Sequence, residues 1–286
     1  MVKEHLSSVA GIDLHWLEHP GGDPPIVLLH GLTANARFFD GLIAGGLSPR
    51  FRAIVPDLRG RGLSSQPATG YSMEDHASDV LGLCDSLGLS RVVLAGHSFG
   101  GLLGIWIAAN HPDRVEKLVI LDAAGPTIQT PEVYELIRPS LERLGKSWPS
   151  WEEFLATMRA APSFHDWWDP AIEPYYRADV EDQPDGSVRV RIRPGTIAEV
   201  LVRGRDEDWG KLLSAIRIPT LLVTSHGSYG GPGTSPIVPR AAAKATAEAI
   251  PGCRWEIVPG NHATMLFGEG ARRTAAAIAE FVGGGG

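Results

Sequence analysis

Residues Gly96-His97-Ser98-Phe99-Gly100 spell G-x-S-x-G between the apolar run Arg91-Val-Val-Leu-Ala95 and the segment Gly101-Leu-Leu-Gly-Ile-Trp-Ile-Ala-Ala109. A β-branched run, this turn and a helix of small and apolar residues form the strand–turn–helix setting of a nucleophile elbow. So tight a turn has no room for side chains at 96 and 100, and Gly101 lets the helix start close to the strand. The Ser98 hydroxyl then stands above the carboxyl end of a sheet, with a helix N-terminus behind it that favours negative charge. The chemistry implied is nucleophilic attack by an alcohol. An alcohol is inert at neutral pH unless a nearby imidazole takes its proton, so a histidine is required. Ten compete for that role.

The elements that must position such a site can be read from the alternation of short aliphatic runs with amphipathic stretches. That alternation predicts an α/β fold with a mostly parallel sheet and helices on both faces. Val9-Ala10 and Ile12 to Leu17 around Gly11 suit an antiparallel entry hairpin. Buried-strand candidates are Ile26–Leu29, Arg52–Val55, Val92–Ala95, Leu118–Leu121, Thr220–Thr224 and Arg254–Val258. Helical candidates are Ser72–Leu87, Leu102–Asn110, Pro239–Ile250 and Leu266–Val282. The first opens on Ser72-Met-Glu-Asp75, a serine followed by acidic residues, which suits a helix N-terminus. From about Pro126 to Trp209 the alternation lapses, and four of the eight tryptophans fall between 148 and 168. A helical insertion over the sheet, residues 126–209, is expected, with the core formed by 1–125 and 210–286. A lid closing on an apolar pocket needs apolar residues underneath, and Trp151, Trp167 and Trp168 are the candidates for that role.

Composition narrows the function class. The 286 residues are 43% hydrophobic and 21% charged, ordinary for a globular protein with a sizeable core. A net charge of −7 argues against nucleic acid as a partner. Cys84 and Cys253 stand in separate elements without metal-type spacing, so neither a disulfide framework nor a metal site is expected. The start of the chain lacks an apolar signal region and no run reaches membrane-span length, which makes the cytoplasm the default and a membrane association unexpected. No dinucleotide fingerprint or P-loop occurs, so no cofactor is implied.

The chain resembles the α/β-hydrolase fold family. The resemblance rests on Leu28-Leu29-His30-Gly31-Leu32 after the first buried strand, Asp57-Leu-Arg-Gly-Arg-Gly-Leu-Ser64 after the next, the Gly96–Gly100 elbow, and Pro259-Gly-Asn-His262 after the last. It implies an eight-stranded sheet and places the insertion where the family carries its cap. It also assigns the base to the loop holding His262. His97 adjoins the nucleophile but points elsewhere on a sharp turn, and His30 belongs to the His-Gly signature, so both are expected to be structural. His226, after the seventh strand of the fold, is a candidate for lining the site.

The acid departs from the family's usual pattern. Most members carry a carboxylate after the seventh strand, where this chain has Ser235, and no Asp or Glu occurs between Asp208 and Glu248. Asp122, ending the run Val115-Glu-Lys-Leu-Val-Ile-Leu, offers a replacement. Neighbouring strands lie about 4.8 Å apart, so its carboxylate starts one strand from Ser98 on the same sheet edge. The oxyanion hole needs two backbone donors, expected at Leu32 N–H and Phe99 N–H. Arg59 and Arg61 could be read as anion binders, but in the Arg-Gly-Arg-Gly turn they are expected to be solvated or tied to nearby carboxylates.

Serine at 98 argues against the carboxylate nucleophile of haloalkane dehalogenases and epoxide hydrolases. What remains is acyl transfer to water. Carboxylic esters and lactones of largely apolar small molecules suit the aromatic insertion best. Thioester, amide or carbon–carbon bond hydrolysis, perhydrolysis, and a hydrolase-like small-molecule receptor are the alternatives. Oligomeric state is not legible.

Overall fold

The computed structural model describes residues 2–125, 130–164 and 167–284. In chain order its elements are β1 (Lys3–Val9), β2 (Ile12–His19), β3 (Ile26–Leu29), the single turn α1 (Asp40–Leu42), β4 (Ala53–Pro56), α2 (Met73–Ser86), β5 (Val92–His97), α3 (Phe99–Asn110) and β6 (Val115–Leu121). An insertion follows, with α4 (Pro131–Glu142), β7 (Ser147–Trp148), α5 (Trp151–Arg159), α6 (Ile172–Asp179), β8 (Val180–Asp182), β9 (Val188–Val190) and α7 (Pro194–Arg203). The chain then returns through α8 (Trp209–Ala215), β10 (Thr220–Thr224), α9 (Arg240–Ala249), β11 (Arg254–Ile257) and α10 (Gly268–Gly283).

Eight strands form one sheet in the order β1-β2-β4-β3-β5-β6-β10-β11. β2 runs antiparallel to both β1 and β4, and the remaining pairs are parallel. The antiparallel start follows from the turn at Ala10 and Gly11, both at positive φ, as a two-residue hairpin requires. β3, β4, β5 and β10 are buried along their whole length, the result of covering a parallel sheet on both faces. α2 begins as its sequence suggests, with reciprocal hydrogen bonds between Ser72 and Asp75 forming a capping box.

Register places the chemistry. His97 pairs with Leu121, and Leu121 pairs with Val223. Ser98 and Asp122 therefore leave adjacent strands at the same height. Their backbones stay tied to the sheet: Ser98 N–H donates to Leu121 C=O at 2.9 Å and Asp122 N–H to Val223 C=O at 2.8 Å.

The insertion is not wholly helical. β7, β9 and β8 make a three-stranded antiparallel sheet. Strands of two and three residues are too short to show a period, which is why the sequence reads as helix and loop there. The acidic stretch from Asp179 to Asp185 proves to be a hairpin, and Asp179 at its foot is buried against Arg143. The insertion is fastened to the core by polar contacts. Arg143 donates to Thr33 C=O at 2.9 Å, Asn35 to Tyr175 C=O at 3.1 Å, and Gln66 to Arg191 C=O at 3.1 Å. Its expected first residues, 126–129, lie outside the described ones. No helix among the described residues is long and apolar enough to cross a membrane.

Candidate active site

Ser98 sits at φ 54°, ψ −118°, between the end of β5 and the first turn of α3. That conformation is costly for a residue with a Cβ, about 1–3 kcal/mol, and holds only because the surroundings impose it. They do so by close approach. A Cβ on Gly96 would stand 2.0 Å from Gly100 C=O, and one on Gly100 would stand 2.0 Å from Leu29 C=O. The crossing of strand and helix therefore excludes any side chain at either position. Phe99 opens α3, so its N–H has no partner within the helix.

Asp122 also adopts a left-handed conformation, φ 46°, and is 1% exposed. Its two oxygens are both used. Oδ1 accepts from Ser225 N–H at 2.9 Å, and Oδ2 accepts from His262 Nδ1 at 2.7 Å. A carboxylate acceptor fixes the proton on Nδ1 and leaves Nε2 with a lone pair. The His262 loop is held independently of that bond. His97 Nε2 donates to His262 C=O at 2.7 Å, and the two rings lie 4.5 Å apart. Burial and the neighbouring His262 keep the His97 imidazole well below its usual pKa, so it remains a neutral donor. His97, expected to be structural, makes that contact and also lines the same cavity as Ser98 and His262. Its specific task, anchoring the His262 loop, has no signature in sequence.

His30 holds the loop on the opposite side of the elbow. Its Nδ1 donates to Gly31 C=O at 2.8 Å, and its Nε2 accepts from Leu58 N–H at 2.9 Å. Protonation would destroy that acceptor in a fully buried place, and burial pulls its pKa down to about 4. Arg59 forms a buried bidentate pair with Asp79, 2.6 Å for each bond. Arg61 differs from the expectation: it is wholly buried and bonds no carboxylate among the described residues.

Ser98, His262 and Leu32 line one cavity of about 780 Å³. Its walls are chiefly aromatic and aliphatic, including Phe38, Trp148, Phe164, Tyr175, Tyr176 and Tyr229. Tyr229 stands edge-on to His262, with centroids 5.5 Å apart and planes at 90°. None of Trp151, Trp167, Trp168 and His226 is among the lining residues, in contrast to the sequence expectation. Trp151 packs on Phe154 and under Arg177. Trp168 stacks on Tyr176 with centroids 6.1 Å apart. Trp167 is 38% exposed and borders a separate surface depression beside Phe267. The His226 ring nitrogens are buried without a hydrogen-bond partner, and the ring lies edge-on to Trp255. The insertion's tryptophans divide: Trp151 and Trp168 pack on its other aromatics, Trp167 lies at the surface, and Trp148 lines the cavity together with the tyrosines of α6. No cluster of His, Cys, Asp or Glu among the described residues is arranged to hold a metal ion.

A family model for the alpha/beta hydrolase fold matches residues 24–269. The chain belongs to the α/β-hydrolase fold family. It is 31% identical over 244 residues to 2-(acetamidomethylene)succinate hydrolase of Mesorhizobium japonicum, an alignment covering 84% of this chain and 81% of that protein. A crystal structure of E-2-(acetamidomethylene)succinate hydrolase superposes with a TM-score of 0.83 at 26% identity, covering 99% of this chain and all of that one. A thermophilic esterase from Thermogutta terrifontis superposes with a TM-score of 0.70, also at 26% identity, over 98% of each chain. Membership in this family supports hydrolysis as the activity of this α/β hydrolase.

Proposed function

We propose that this α/β hydrolase is a serine esterase acting on carboxylic esters, lactones included, of largely apolar small molecules. The observation that carries the reading is the 2.7 Å bond from His262 Nδ1 to the buried Asp122, on the wall of the cavity that Ser98 also lines. His262 Nε2 takes the Ser98 proton as the hydroxyl oxygen attacks the acyl carbon. Asp122 stabilises the imidazolium without taking the proton. Leu32 and Phe99 N–H groups receive the developing oxyanion. His262 then protonates the leaving alcohol, and water repeats the sequence in reverse to release the acid.

Charge on the cavity wall argues for neutral substrates. Among the described residues its charged lining is Glu132, Glu135 and Glu142 of α4 with Arg143 and Lys146; Glu135 and Glu142 are both paired with Arg138, and Arg143 with Asp179. A dianionic succinate, as in the name of the Mesorhizobium relative, would find no free buried cation among the described residues of the cavity wall. The test is a panel of nitrophenyl esters of acetate, butyrate, benzoate and hemisuccinate. Turnover of the neutral esters with weak hemisuccinate hydrolysis supports the reading. A preference for hemisuccinate would overturn the substrate class, and no turnover of any ester would overturn the esterase.

A further inference from the structure

Arg61 lies in the turn after β4, far in sequence from the serine, yet it touches both residues proposed to form the oxyanion hole. Its Nε donates to Leu32 C=O at 3.1 Å, and its guanidinium carbon lies 5.3 Å from the centroid of the Phe99 ring. The rest of its surroundings hold it in place without cancelling its charge. Nη1 donates to Arg59 C=O at 2.6 Å and to His76 Nε2 at 2.8 Å. His76 donates its own Nδ1 proton to Ser72 C=O at 2.7 Å, which fixes Nε2 as an acceptor. Burial and the adjacent Arg61 keep His76 neutral. The second terminal nitrogen, Nη2, is buried with no hydrogen-bond partner among the described residues. The nearby carboxylates are committed elsewhere, Asp57 to His15 and the backbone N–H groups of Ala36 and Leu63, and Asp79 to Arg59.

A buried cation without a counter-ion is expensive, and a structural role alone would be served better by a neutral donor. The cost is repaid where negative charge appears only transiently. We propose that Arg61 is a positioning residue of the oxyanion hole, clamping Leu32 and Phe99 while its unneutralised charge favours the anion formed between them. The inference rests on the esterase reading above. It goes beyond it in making a turn residue outside the triad responsible for part of the selectivity for the transition state.

The test uses the full chain and the variants Arg61→Gln, Arg61→Lys and Arg61→Met. Each is assayed for nitrophenyl ester kcat and KM, and for inhibition by a trifluoromethyl ketone, which adds to the serine and places a full oxyanion in the hole. Loss of one direct oxyanion donor costs about 10²–10³ in kcat. Arg61 acts through the donors, so Arg61→Gln is expected to lose about 10- to 100-fold in kcat with KM within about threefold. Its trifluoromethyl ketone affinity should fall by the same factor as kcat/KM. Arg61→Lys, which keeps the charge, should recover most of both, and Arg61→Met should be the weakest. Melting curves identify variants that have merely unfolded. Should Gln and Met prove unfolded, Arg61→Lys still decides, because its smaller losses in kcat/KM and in ketone affinity must track each other. A folded Arg61→Gln or Arg61→Met with unchanged ketone affinity, or any folded variant with ketone and ground-state binding weakened equally, would overturn the proposal. A wild-type chain that neither cleaves esters nor binds the ketone would instead overturn the esterase reading itself.

Discussion

Replacing Asp122 by asparagine changes one atom in a site with no slack. The Asp122 side chain is fully buried, and both oxygens accept hydrogen bonds, one from Ser225 N–H and one from His262 Nδ1. The amide can satisfy Ser225 only by turning its NH₂ toward His262. Nδ1 must then accept, the imidazole proton moves to Nε2, and that nitrogen has no lone pair left to take the serine proton. The flipped amide keeps the useful tautomer but sets NH₂ against Ser225 N–H, a buried unsatisfied donor costing about 1–3 kcal/mol. That energy makes the competent arrangement about 5- to 150-fold rarer. Losing the anion beside the imidazolium adds to it, and the corresponding change in a serine protease costs about 10⁴ in turnover. Asp122→Asn should therefore lose about 10² to 10⁴ in kcat with KM little changed. The His262 loop stays tied by His97 and the fold is preserved, so the melting temperature should move little. Steady-state hydrolysis of a nitrophenyl ester, paired with a melting curve, reads both quantities. A folded Asp122→Asn enzyme within tenfold of wild type would refute the assignment of Asp122 as the carboxylate partner of His262.

Three further outcomes follow from the structure. His30 has a pKa of about 4 in the fold against 6.5 in the unfolded chain, so between those values the unfolded state binds the extra proton and acid favours unfolding. Its contribution is complete above pH 6.5 and falls by about 2 kcal/mol by pH 5; urea titrations at both pH values should show that loss, and His30→Gln, which can donate and accept at the same places, should flatten the slope. Trp148→Ala enlarges the cavity wall and should shift acyl chain-length preference by about tenfold, since one methylene in an apolar pocket is worth about 1–3 kcal/mol; Trp167→Ala should leave that preference unchanged, and the reverse pattern would misplace the pocket. Arg143→Met strands the buried Asp179 and should cost about 3–5 kcal/mol in urea unfolding, whereas Arg143→Met with Asp179→Leu should recover much of it; equal losses in the single and double variants would show that the ion pair does not govern the effect.

The core was readable because its signals are local and repeated. Strands such as Ile26–Leu29 and Thr220–Thr224 match their apolar runs to the residue. The parallel order β5-β6-β10 turns the chain positions of Ser98 and Asp122 into spatial neighbours. Asp122 was legible by vacancy as much as by place, because Ser235 and its surroundings supply no carboxylate, and Ser235 is in fact exposed. The insertion was less legible for a physical reason. Its β7, β8 and β9 hold two or three residues each, and its tryptophans are shared between its own core, its surface and the cavity. Which face an aromatic presents depends on packing between helices that no short-range pattern encodes. The roles of His97 and Arg61 depend likewise on partners 165 and 29 residues away.

The central claim is that Ser98 forms a covalent acyl intermediate. Rapid mixing of the enzyme with a nitrophenyl ester, acid quenching and mass analysis of the digested chain tests it directly. The account predicts a burst of nitrophenol followed by sustained turnover, with the acyl mass on the peptide containing Ser98 and none in Ser98→Ala. Turnover without an adduct, or an adduct that persists in Ser98→Ala, would contradict it.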